Sequence, residues 1–241
     1  MKKIKHISLI FIFTIYLSNE SFCQKDNLSG FLGFSLGGPI PTNSINNSSG
    51  TPKTGALIGL SYTYHLNSKI SLNAEIQYTN KRVEYSTKFR KDTLIPQEIN
   101  NTIYYLNSFY NAYVNGKMNL HYIENQYTLS YNFYNRNQLI TGIYLSVLTG
   151  GYDKGDVQVV IGEGGFLGDY FEKFDNFENI NNIDYGFILG LKSYLYKNIF
   201  NGFKISRSIK SLYSNDIFST RGLEQNNLYH TYAYFFIGID F

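Results

Sequence analysis

Four charged residues fall on the polar faces of segments that alternate apolar and polar residues: Glu75, Glu124, Lys192 and Lys204. Acids and amines enclosed together can pair with one another, relay protons or guide ions. A charge taken out of water must be paired or hydrogen-bonded, so the expected role of this set is an internal structural network. His65, His121 and His230 lie far apart, with no HExxH, paired-histidine or serine-elbow spacing. The run from Val157 to Gly165 enters glycines as a nucleotide loop does, but the third glycine of the dinucleotide fingerprint would stand where Leu167 is. It reads as an exposed glycine-rich loop. A serine, a histidine and an aspartate can meet in space in any serine-rich chain, so nothing here singles out catalysis. The expectation is a protein without enzymatic activity, cofactor or metal.

A second pattern points outward. Phe166, Tyr170, Phe171, Phe174 and Phe177 are interleaved with Asp169, Glu172, Asp175 and Glu178. Aromatic anchors among acids suit contact with a protein partner, and loops are where functional residues concentrate. The alternative is that the segment folds its aromatics back as a lid.

The first residues carry Lys2, Lys3 and Lys5, then an apolar run from Ile7 to Leu17, then a short polar stretch. This is the three-part pattern of a secretory signal. The run is too short to cross a hydrocarbon core, which takes roughly 20 residues of helix. Residues 1–23 are therefore read as a signal peptide and 24–241 as the exported domain, with cleavage after Cys23. The competing reading lipidates Cys23, but a lipoprotein signal wants a small residue before the cysteine and Phe22 stands there. Cleavage after Cys23 removes the only cysteine, and with it disulfides and thiolate metal sites. It also lowers the formal charge from +3 to +1, because three lysines and Glu20 leave with the leader. No basic face is left for nucleic acid. The remainder is rich in Tyr and Phe, poor in Pro and free of Trp. A chain whose strands spend half their residues on lipid and half on a polar interior has this composition.

The elements that position these residues follow from alternation. Ala56, Ile58, Leu60, Tyr62, Tyr64 and Leu66 share one face, with Leu57 the apolar exception on the other. Ile70 to Thr79 keeps a strict period of two over ten residues, enough for a tilted strand to cross a bilayer. The pattern returns at 126–133, 139–147, 184–195, 199–213 and 228–241, and an earlier strand runs from Leu28 to Gly37. Short turns at 67–69, 135–137 and 197–198 alternate with long polar stretches at 38–53, 90–117, 151–182 and 214–226. Short periplasmic turns and long external loops are the rule of outer-membrane barrels. The expected fold is all-β: an eight-stranded antiparallel up-and-down transmembrane β-barrel. Residues 103–114 are expected above the membrane, paired with 82–89, and the count becomes ten if both pieces reach lipid.

The sequence resembles the small outer-membrane barrels called PorT-like, through Tyr122-Ile123-Glu124 leading into Tyr127 to Tyr134, through Asp184-Tyr185-Gly186-Phe187 with Gly190, and through the terminal Phe241. Gln126 stands where that family commonly has proline. The resemblance implies location in the outer membrane of a Gram-negative cell, contact with its lipid, and Phe241 as the terminal aromatic read by barrel-insertion machinery. The expected role is structural or interactive, through external loops engaging a protein partner in adhesion, surface contact or secretion-complex assembly. A narrow transport pore is the alternative, and a membrane-embedded lipid-modifying enzyme is the third reading.

Overall fold

The computed structural model describes residues 26–41, 47–99, 102–134, 136–162, 168–175, 177–213 and 228–241. The leader, including Cys23, lies outside them. Eight strands close into a ring: β1 (Asn27–Pro41), β3 (Gly55–His65), β4 (Ile70–Ile99), β5 (Thr102–Tyr134), β6 (Asn137–Gly162), β8 (Ile183–Tyr194), β9 (Ile199–Ser208) and β10 (Leu228–Asp240). Neighbours in the ring are antiparallel, and β1 pairs with β10 to seal it, Phe34 opposite Phe235. The eight-stranded barrel expected from alternation and turn parity is the observed fold.

Two further strands lie off the ring. β2 (Asn47–Lys53) pairs with β4 from Arg82 to Lys88, and β7 (Gly168–Asp175) pairs with β6 from Lys154 to Ile161. Both attach where β4, β5 and β6 rise beyond the rest of the barrel. The expectation of long loops at 90–117 and 151–182 is thus corrected: β4 and β5 stay paired as far as Ile99 opposite Thr102, and β6 continues to Gly162. Val157 to Gly162 is strand, not loop. Above the apolar belt the outer face turns polar and the apolar residues, Val83 and Met118 among them, pass to the inner face, so the outward apolar alternation fades there while backbone pairing continues. Another correction concerns β9, which ends at Ser208 rather than Tyr213; a short segment follows, held by an antiparallel bridge between Ile180 and Tyr213.

The two faces of the ring have opposite chemistry. Outward stand Leu32, Ile58, Leu72, Ile143, Leu189 and Ile237, with Ile58 60 % exposed. Phe34, Phe235 and Phe203 stack in a row across β1, β10 and β9, with centroids 5.0 and 4.8 Å apart. Inward stand serines, threonines, amides and charges, together with an aromatic cluster of Phe31, Phe200, Tyr232, Tyr234 and Phe236. Leu57, the exception in its strand's alternation, belongs to that cluster and is buried. An exposed apolar belt around a polar interior is an inside-out arrangement that suits lipid, not water.

Candidate functional site

All four charges singled out from the sequence lie in the interior. The sharpest pair is Lys204 on β9 and Glu75 on β4, whose Nζ and Oε2 are in direct contact. Lys204 also donates to Gln126 Oε1 at 2.9 Å, and its ammonium lies 5.0 Å from the centroid of Phe236. Lys192 lies 3.8 Å from the centroid of Phe200 and 4.9 Å from that of Tyr194, so aromatic faces take the place of a direct anion.

Glu124 is fully buried and accepts hydrogen bonds from Gln77 (2.9 Å), Gln126 (2.6 Å) and Ser146 (2.8 Å). Its cation is Lys81, whose Nζ stands 3.6 Å from Glu124 Oε2 and 3.3 Å from Asp184 Oδ2. Asp184 accepts in addition from Tyr144 and Ser208. The Lys81 ammonium is boxed by the rings of Tyr122, Tyr232 and Tyr144, at 4.6, 5.2 and 5.5 Å from their centroids. Sequence reasoning missed Lys81 as an interior residue because the apolar alternation of β4 was followed only to Thr79. Parity alone finds it, since Glu75, Gln77, Thr79 and Lys81 share one face.

Among the described residues the lower interior is closely filled. A cavity of about 10 Å3 among Phe31, Asn73, Glu75, Lys192, Phe200 and Phe236 is no larger than one water requires. Eight strands leave a bore that side chains can fill, and here they do. Three buried polar atoms lack a partner among the described residues: Thr79 Oγ1, His230 Nδ1 and the Tyr232 hydroxyl. The other two histidines lie elsewhere, His65 against Ser71 and His121 on the outer wall. Among the described residues no group of three or more His, Cys, Asp or Glu side chains is placed to hold a metal ion.

Above this network a cap closes the mouth. The 3-10 turn Phe177–Asn179, Ile180 and the segment at Leu212–Tyr213 pack on Val83, Met118, Leu120 and Tyr122. Asn181 N donates to Leu212 O at 2.8 Å and Asn181 Nδ2 to Ser211 O at 2.8 Å. Asp153, completely buried in the raised part of β6, accepts from Tyr85 at 2.7 Å and from Tyr213 at 2.6 Å. Burial pushes its carboxyl above the usual carboxylate range, against the pull of those two hydrogen bonds. Tyr85 and Tyr213 are raised in turn, by burial first and by the neighbouring Asp153 second.

The aromatics proposed for external contact divide. Phe171 on β7 is 62 % exposed. Phe174 lies over Gly155, and Phe177 packs against the cap cluster. Phe166 and the side chain of Tyr170 lie outside the described residues. Phe241 is exposed at the short-turn end, with its N–H donating to Leu28 O at 2.8 Å.

A closed antiparallel barrel with an apolar exterior and an ion-paired interior defines the class of outer-membrane barrels. The chain belongs to the outer membrane protein beta-barrel domain family, whose model matches residues 22–214. Its place is the outer membrane. Among solved structures it is similar to Ail, the attachment invasion locus protein of Yersinia pestis, with 11% identity and a TM-score of 0.41 over 90% of this chain and 100% of that one. It is also similar to Neisserial surface protein A, with 12% identity and a TM-score of 0.34 over 90% and 97%. An outer membrane channel from Pseudomonas putida F1 matches at 7% identity and a TM-score of 0.32 over 93% and 98%. No curated protein sequence matches.

Proposed function

We propose that this protein is a closed outer-membrane barrel of the PorT-like kind that works as a contact protein, engaging another macromolecule outside the membrane, and that it is neither a pore nor an enzyme. The observation that carries this reading is the raised sheet β2-β4-β5-β6-β7. Its two outer strands, β2 and β7, each pair on one side only among the described residues. Open strand edges are templates for an added strand, and Phe171 stands exposed on one of them. The filled bore argues against transport, and its charges neutralise one another instead of facing a substrate.

The test shortens the raised hairpin at Glu84 opposite Lys117, a register pair that a two-residue turn can close, which removes most of the β4 stretch that carries β2 and the β5 stretch that supports β6 beside β7. The shortened chain should insert and keep its heat-dependent gel mobility. Cells displaying the full chain should attach to a surface or be cross-linked to an envelope partner, and cells displaying the shortened chain should not. Equal behaviour would overturn the reading. So would stable unitary conductance of the full chain in a planar bilayer.

A further inference from the structure

The outer wall changes chemistry between β4 and β5. Ascending β4, the outward residues are Ile76, Tyr78, Asn80 and Arg82; ascending β5, they are Ile123, His121 and Asn119. The register sets Tyr78 opposite Ile123, Asn80 opposite His121, and Arg82 opposite Asn119. Asn80 Nδ2 donates to Asn119 Oδ1 at 2.7 Å and to His121 Nδ1 at 2.9 Å. The Tyr78 hydroxyl meets the same ring nitrogen at 2.6 Å, and its ring stacks on the imidazole. A neutral imidazole that accepts at Nδ1 carries its hydrogen on Nε2.

Among the described residues the hydrogen bonds to His121 all fall on Nδ1, leaving Nε2–H unengaged, and the exposed Arg82 side chain makes no hydrogen bond or ion pair. Glu84, the next outward residue on β4, is already engaged by Lys53 at 2.9 Å and Lys117 at 3.5 Å. Two hydrogen-bond donors, one of them a fixed cation, therefore stand unclaimed at the level where the wall turns from apolar to polar. As diagonal neighbours on one face, Arg82 and His121 have backbones about 7–8 Å apart, close enough for both side chains to reach one phosphate.

Below them an apolar cleft of about 740 Å3 opens on the barrel wall. It begins at Tyr78 and Ile123 and passes Ile58, Leu32 and Ile237 to reach Ile199, crossing five strand intervals. Tyr78 is well up its strand, whereas Ile199 opens β9, so the cleft descends as it goes. Five intervals span about 24 Å. With strands tilted about 40°, the fall is about 15 Å, half of a hydrocarbon core about 30 Å thick.

We propose that this wall binds one phosphorylated lipid of the outer leaflet, its phosphate held by Arg82 and His121 Nε2–H and an acyl chain lying in the cleft. The head site stands at leaflet height, the cleft is one leaflet deep, and Lys53 and Lys117 keep the surroundings basic. Anionic headgroups gather at such positions.

The experiment is native mass spectrometry of the full chain in detergent, titrated separately with lipid A, dephosphorylated lipid A, a zwitterionic phospholipid and inorganic phosphate. One lipid A should be retained, about tenfold more tightly than the dephosphorylated lipid and than the zwitterionic phospholipid, whose single phosphodiester is already balanced by its own ammonium, and inorganic phosphate should not saturate. Arg82→Gln and His121→Leu should each weaken retention by about tenfold. Arg207→Gln, an outward arginine on β9 engaged with Thr231, should leave it unchanged. Each side chain faces outward, and unaltered gel mobility checks that the barrel is intact. Equal retention of the dephosphorylated lipid, equal loss in the Arg207 variant, or phosphate binding as tight as lipid A would each overturn the proposal.

Discussion

Tyr213 donates its phenolic hydrogen to Asp153 across 2.6 Å, tying the segment after β9 to the raised part of β6. The carboxylate is completely buried and takes its second hydrogen bond from Tyr85. Three separate parts of the chain therefore meet at one group: raised β4, raised β6 and the cap. Among the described residues the backbone hydrogen bond between Asn181 and Leu212 joins the two halves of the cap, and this group and the apolar contacts of Ile180 and Leu212 help to hold it down.

Tyr213→Phe keeps the ring and removes the hydrogen bond. Weakening a buried carboxylate's partner set costs about 1–3 kcal/mol, and here the cost should fall locally. Amide exchange should quicken at Asn181, whose N–H bonds Leu212 O. Exchange in β8 and β9 should stay slow. Uniform acceleration across the barrel would show that the cap is not a separate unit.

Acid pH should tighten the same cap. Burial holds the Asp153 carboxyl above its ordinary value, so the folded state keeps its proton to higher pH than the unfolded chain does. The stability this group contributes is then full below the ordinary aspartate range, near pH 3.9, and is lost as pH rises through the raised folded value. Exchange at Asn181, corrected for intrinsic rates, should report that loss. Asp153→Asn should flatten the profile, and an unchanged profile would assign the dependence to another group.

Glu75, Glu124, Lys192 and Lys204 were legible as interior residues because period-two alternation decides which way each side chain points, and the barrel closes on the polar face. The short turns were legible for the same reason: alternation stops at them. Lys81 was not, since apolar marking ends at Tyr78 where the outer wall turns polar, although the strand runs on to Ile99. The cap was hidden for a different reason. Ile180 lies in a segment without periodicity, Leu212 and Tyr213 read as the continuation of β9, and they meet only because the ring brings β8 beside β9. The paired hairpin of β4 and β5 beyond the barrel reads as loop in sequence, being rich in Asn and Tyr without a sustained apolar alternation.

Lys204 offers a test of the interior itself. Replacing it with methionine leaves Glu75 charged and buried, and breaking a buried pair on one side costs about 3–5 kcal/mol. Lys204→Met combined with Glu75→Gln should recover much of that loss, because no ion is then stranded. Urea midpoints of the refolded barrel give both values. A double variant as unstable as the sum of the two single ones would mean that the pair is not coupled.

Glu124→Gln should cost less than Glu75→Gln, although Glu124 is the more completely enclosed. The difference lies with the cations they serve. Lys81 keeps a second carboxylate, Asp184 at 3.3 Å, and stays among three tyrosine rings when Glu124 is neutralised. Lys204 has Glu75 as its one ion-pair partner among the described residues, and Gln126 offers only a neutral oxygen. A Gln at 124 can still accept from Ser146 or Gln126 through its carbonyl, so the loss should be about 1–2 kcal/mol. At 75 the stranded ammonium should bring it to about 3–5 kcal/mol. The reverse order of urea midpoints, at equal slopes, would place the main electrostatic support of the barrel at Lys81 and move the weak point of the interior from β9 to β4.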